Sequence, residues 1–197
     1  MNARTIFTPG APSDSASRAI ARVSPRGGGV AISPALPDDI GNLFLWINDA
    51  QAAQSDMPYR PVDCLMFKDW LDHQNKQNAQ VLFIIRTLQP ARAVGFVMFK
   101  NLSPLFRAAE LGVRIGDEKD RGKGYGGAAV TLALQYAWDT LNLRRVWLTV
   151  FARNKRAIAS YRRAGFEQEG LMRQAAFTGG EWLDVVMMSA LNPREAG

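Results

Sequence analysis

Hydrophobic positions along this chain repeat with two periods, and the switches between them mark its elements. Val30-Ala31-Ile32 opens the patterned region as a short strand. Pro37-Asp38-Asp39 offers a helix start, and Ile40, Leu43, Phe44 and Ile47 follow at helical spacing. Residues 67–71 predict a second helix, and the two prolines of Met57-Pro58-Tyr59-Arg60-Pro61 forbid a continuous helix between them. Three runs at 81–86, 93–100 and 109–115, joined through Pro90 and Ser103-Pro104, predict an antiparallel meander. Residues 124–142 read as one long helix with Val130, Leu134, Ala137 and Leu141 on one stripe. A strand at 145–151 follows, then a helix at 154–164 stopped by Gly165. Phe166 starts another strand, and 184–191 is the last, after a Thr178-Gly179-Gly180 turn.

Composition adds boundaries to this pattern. Pro, Ser and Gly crowd residues 8–29, which end in Gly27-Gly28-Gly29, so residues 1–29 read as a flexible tail and 30–192 as one domain. The tail carries four arginines, with Asp14 its one acid, and lacks the apolar core of a secretory signal. An organellar transit peptide is its alternative reading. Apolar residues make up 47% of the 197, enough for a sizeable core. No apolar run approaches the roughly 18 residues that span a bilayer. A single cysteine, Cys64, excludes an intramolecular disulfide, reads as a core thiol and fits a cytoplasmic setting.

The net charge of +6 raises the question of nucleic acid, and its distribution argues against it. Half the excess lies in the tail. Residues 38–72 hold seven Asp against Arg60 and Lys68, and residues 144–166 hold seven Lys and Arg with no acid before Glu167. An anionic ligand near 121–163 and a cationic one near 38–72 would use both poles; several solvated helix faces are the plain alternative.

One run carries candidate chemistry. Arg121-Gly122-Lys123-Gly124-Tyr125-Gly126 lies between a strand and the long helix. Its glycines leave backbone N–H groups unshielded, and the helix start adds about half a positive charge, a combination that holds a pyrophosphate. Gly122, Gly124 and Gly127 formally match G-x-G-x-x-G, but residues 117–121 separate them from the strand. The ribose-binding acid is also missing: Ala152, Arg153 and Asn154 follow the next strand, where Arg153 keeps an NADP variant open. No G-x-x-x-x-G-K-[ST] motif is present. One His and one Cys make a metal cluster unattractive, and His73 reads as a surface residue.

A wider pattern fits better. Ala109-Glu110-Leu111-Gly112-Val113-Arg114-Ile115-Gly116, the glycine run, Leu141-Asn142-Leu143-Arg144-Arg145-Val146, Asn154-Lys155-Arg156-Ala157, Tyr161 and Ala164-Gly165-Phe166-Glu167-Gln168-Glu169-Gly170 together resemble the GNAT acetyltransferases. The N-x-x-A-x-x-x-Y-x-x-x-G-F-x-x-E-G portion is similar to the RimJ/RimL-type branch, which includes ribosomal-protein N-terminal and spermidine acetyltransferases. The match runs from about 110 to 191. It implies an α/β fold: a mixed, mostly antiparallel sheet of about seven strands with flanking helices.

The resemblance implies acetyl-CoA as cosubstrate, transferred directly to an amine. It places the donor against Val113, Arg114 and Ile115, on a strand edge splayed from 146–150, where a peptide-like arm can pair. A backbone N–H there, such as that of Val113, would stabilise the oxyanion, and one such donor is worth about 3 kcal/mol. Arg121, Gly122, Lys123, Gly124, Tyr125 and Gly126 would take the pyrophosphate. Asn154 would touch coenzyme A, and Tyr161, two turns or about 10.5 Å further along the helix, would protonate the departing thiolate. Glu110 is the candidate base for the acceptor ammonium; a salt bridge, for instance with Arg107, is its other reading. Part of the run Arg153, Lys155, Arg156, Arg162, Arg163 would serve the ribose phosphate. The acceptor is expected to be a cationic small molecule or a protein N-terminus, with no membrane or nucleic-acid partner and a homodimer as an open expectation. The competing function is a coenzyme A-binding regulatory or interaction domain without turnover.

Overall fold

The computed structural model describes residues 21–23, 29–50, 61–64, 67 and 80–195. Their strands are β1 Ala21–Val23, β2 Val30–Pro34, β3 Val81–Leu88, β4 Ala91–Ser103, β5 Ala108–Ile115, β6 Arg145–Phe151, β7 Glu167–Thr178 and β8 Glu181–Leu191. The helices are α1 Ile40–Ile47, α2 Tyr125–Asp139 and α3 Lys155–Arg163. One sheet holds all eight strands in the order β1-β2-β3-β4-β5-β6-β8-β7, antiparallel except for the β5–β6 pair.

The eighth strand is β1, inside the stretch read as tail. It pairs Ala21 with Ile32 and Val23 with Val30. Three residues are too few to show a period, so a Pro/Ser/Gly-rich composition masks them. The helix expected at 67–71 is described only at Phe67. Residues 57–60 and His73 lie outside the described residues.

Two apolar layers sandwich the middle of the sheet. On one face α2 buries Ala129, Val130, Leu132, Ala133, Leu134 and Ala137 against β2–β6 and β8. Three of these six are alanines, so the helix lies close to the strands and keeps high intrinsic propensity. On the other face Leu43 and Trp46 of α1, with Phe67, cover Ile84, Phe96 and Met98. Strands covered on both faces lose their alternation, which is why β3 reads as the continuous run Val81-Leu82-Phe83-Ile84-Ile85. Phe67, and not Cys64, fills the core from its turn; Cys64 is exposed, correcting its reading as a core thiol.

The turns follow their local chemistry. Gly165 ends α3 at φ +98, and Gly179 and Gly180, both at positive φ, close the β7–β8 hairpin in two residues. The charged segments are spent largely on the fold. Asp39, buried, accepts from the Arg86 guanidinium at 2.5 Å and from the Leu36 N–H at 2.7 Å. Arg145 forks onto Glu169, and Arg153 pairs with Glu181.

Candidate functional site

The site begins where two strands part. β5 and β6 pair at three positions, ending at Glu110–Trp147, while β5 runs on to Ile115 along β4. The Gly116 N–H donates to the Val94 carbonyl at 3.0 Å. Because backbone groups alternate sides along a strand, the N–H and C=O of Leu111, Val113 and Ile115 therefore point away from β4, into the gap that β6 leaves. An extended, amide-bearing chain laid there finds a strand edge to pair with.

The gap opens into a cleft of about 540 Å³. Its floor is Val113, Arg114, Ile115 and Val150. One wall is the glycine loop ahead of α2. Gly122 and Gly124 sit at φ +81 and +86, conformations that a side chain strains and glycine adopts freely. The Ala128 N–H donates to the Gly124 carbonyl at 3.1 Å, so the backbone N–H groups ahead of it are helix-terminal donors at the end of the cleft that Gly124, Gly126 and Gly127 line.

The opposite wall is α3. Asn154 caps it, accepting the Ala157 N–H at 3.1 Å, and this capping role fixes the amide at the cleft mouth. Tyr161 lines the cleft two turns on, with its ring 5.8 Å from that of Phe166.

Of the sequence candidates, the structure brings Val113, Arg114, Ile115, Arg121, Gly122, Gly124, Gly126, Asn154 and Tyr161 to this one cleft. It leaves out Lys123, Tyr125 and Glu110. The Lys123 ammonium lies 3.4 Å from Asp120, and Tyr125 packs on the apolar core. Glu110 sits on the sheet face away from α2, where Lys100 pairs with it at 2.9 Å and the Asn101 amide donates at 2.9 Å. Its cationic partner is thus its cross-strand neighbour and not Arg107, which bonds Asn142 and Glu195. The Arg121 guanidinium is also committed, donating to Gly116 O at 2.6 Å and Asp49 at 3.0 Å.

Sequence reasoning missed how the basic run divides. Arg156, Ser160 and Arg163 line the cleft, whereas Arg153 turns to Glu181 and Arg162 to Gln168. The signal was present: 156, 160 and 163 fall on one helical stripe beside the Asn154–Tyr161 stripe. Arg114, Arg121, Arg156 and Arg163 against Glu118 make the cleft cationic, which suits a phosphorylated ligand. The acidic segment gives less to the acceptor than its charge suggests, because Asp39 and Asp49 are bound to Arg86 and Arg121. A dinucleotide reading finds no support: one parallel strand pair in an otherwise antiparallel sheet is not the doubly wound arrangement it needs. Among the described residues no helix is long and apolar enough to cross a membrane.

Comparison with known proteins agrees with this geometry. A family model described as "Acetyltransferase (GNAT) domain" matches residues 30–167. The chain is 28% identical over 137 residues to the spermidine N(1)-acetyltransferase of Vibrio cholerae, covering 70% of this chain and 77% of that protein. It is 30% identical over 120 residues to the ribosomal protein uS5-alanine N-acetyltransferase of Escherichia coli, covering 60% of this chain and 61% of that one. Among solved structures, spermidine N-acetyltransferase from Vibrio cholerae in complex with CoA and spermine superposes with a TM-score of 0.75. That likeness, at 23% identity, covers 82% of this chain and 95% of the other, and it shows the shared fold.

Proposed function

The chain belongs to the GNAT acetyltransferase domain family, and from that premise we propose a division of labour for its cleft. The family activity is acetyl-CoA-dependent transfer of an acetyl group to an amine. Acetyl-CoA, when bound, supplies the activated acyl group; the residues around it do the rest.

The observation that carries the reading is the gap between β5 and β6, with Val113 facing it along the backbone and Tyr161 on its wall. The glycine loop and the α2 N-terminus take the pyrophosphate, and Arg156 and Arg163 face the remaining phosphate. The open edge of β5 holds the pantetheine arm. The Val113 N–H stabilises the negative charge that develops on the carbonyl oxygen as the amine attacks. Tyr161 donates a proton to the leaving sulfur, and Asn154 orients the arm from the helix cap. Glu110, on the face of β5 away from α2 and paired with Lys100, is the base that takes the proton of the acceptor ammonium, directly or through water. The acceptor is a polyamine-like cation or a protein N-terminus, the two classes named in the relatives. The proposed reaction uses no metal.

The test is thiol release from acetyl-CoA across polyamines, aminoglycosides and N-terminal peptides. Replacing Tyr161→Phe should lower kcat by about 10²–10⁴-fold and leave coenzyme A affinity near its native value. Unchanged kcat would remove Tyr161 from the mechanism. Thermal stabilisation by coenzyme A with release for no acceptor would instead support a binding domain.

A further inference from the structure

The two residues just ahead of the glycine loop are anchored in opposite directions. Asp120 ends the short 3-10 turn Glu118–Asp120, and its side chain has 0% exposure. It receives both arms of the Arg92 fork, Nη1 to Oδ2 at 2.7 Å and Nη2 to Oδ1 at 2.6 Å. The Lys123 ammonium adds a third cationic contact at 3.4 Å. Arg121 reaches the other way, to Gly116 and to Asp49 beyond α1. Arg92 belongs to the start of β4, far from Asp120 in sequence, so the pair ties the loop to the rigid sheet. Neither Arg92 nor Asp120 lines the cleft.

This arrangement needs a reason. A buried carboxylate is costly unless it is paired, and an apolar residue of similar size is often as stable. Two glycines at positive φ follow at once, and glycine has the widest backbone freedom of any residue. Left to local preference, the loop would sample many conformations, and a ligand would have to order it on binding. Arg92 holds the Asp120 carboxyl below the ordinary carboxylate range, so the charge persists through mildly acidic conditions.

We propose that Asp120, latched by Arg92, is a positioning residue that holds the glycine loop ready for the donor pyrophosphate before the donor arrives. The inference rests on the coenzyme A reading above. Breaking the latch leaves the loop to be ordered by the ligand. Having to fix even one residue's backbone on binding corresponds to about a tenfold rise in Kd.

The experiment compares native chain, Asp120→Asn and Arg92→Met. Coenzyme A affinity is measured by calorimetry, and kcat/KM is measured for acetyl-CoA and for S-acetylpantetheine, which carries the thioester arm without the pyrophosphate. The latch predicts coenzyme A binding weakened by about tenfold and a loss in kcat/KM about tenfold greater for acetyl-CoA than for S-acetylpantetheine. Equal losses on both donors, or native coenzyme A affinity in both variants, overturn the proposal and leave the acetyltransferase reading standing. If the native chain itself binds no coenzyme A, both fall. Asp120→Asn leaves uncompensated only Arg92, whose side chain is 39% exposed, so it keeps the test decisive if Arg92→Met, which strands the buried Asp120 carboxylate, fails to fold.

Discussion

Glu169 is part of the sequence pattern that marks this family, yet the structure gives it a mechanical task that can be measured. It is the extra residue of a β-bulge: Gln168 pairs with Met188 and Gly170 with Met187, leaving Glu169 without a cross-strand partner of its own. Its carboxylate receives the Arg145 fork from β6, across β8, and the Ser189 hydroxyl from β8 at 2.7 Å. Three strands are thereby stapled, and β7 is the outermost of them. The Arg145 guanidinium, with help from the Ser189 hydroxyl, holds the carboxyl down to about 2 from its ordinary 4.5. A depression of that size corresponds to roughly 3 kcal/mol of linkage before screening. The Glu169 side chain is 37% exposed and that of Arg145 31%, so water screens the pair. After that discount about 1–2 kcal/mol remains.

The sign follows from the direction of the shift. A carboxyl whose folded value is depressed binds fewer protons in the folded state, so its stabilisation is complete above about 4.5 and is lost as pH falls towards about 2. Glu169→Gln should therefore lower Tm at neutral pH by about 3–6 °C. Urea unfolding of both proteins at a series of pH values is the assay. The gap between native and variant should be constant from neutral pH to about 5 and narrow below it. A gap that stays the same down to the acid limit of folding would refute the staple as an ionic device. A variant with native stability and lost turnover would refute its mechanical role altogether.

The buried Asp39–Arg86 pair and the cationic cleft respond to substitution in different ways. Asp39→Ala removes one partner of a buried ion pair and leaves Arg86, 7% exposed, with its charge uncompensated; chemical denaturation should report a loss of about 3–5 kcal/mol. Arg156→Ala and Arg163→Ala should each raise the KM for acetyl-CoA at low ionic strength, with the effect shrinking as salt is added, because the lost interaction is between charges at a cleft open to water.

The legibility of this protein in its sequence varied with the range of the interaction concerned. Periodicity, caps and turns are local, so β6 at 145–151, the α3 start, its Gly165 stop and the two-glycine hairpin turn are all legible in the sequence. The glycine loop is legible for the same reason, whereas Asn154 and Tyr161 are singled out by the family resemblance, and the structure brings both to the cleft that the loop lines. What the sequence could not show was which charge meets which. Nothing local says that Asp120 is taken by Arg92, that Glu110 answers to Lys100 and not Arg107, or that Arg153 leaves the cleft while Arg156 enters it. Those choices depend on strand order and register, which bring together residues far apart in the chain. The sequence by itself determined a glycine-rich loop ahead of α2 and the family to which the chain belongs. Only the tertiary structure decided, by ending the β5–β6 ladder at Glu110–Trp147, where a strand edge lies open and which side chains line it.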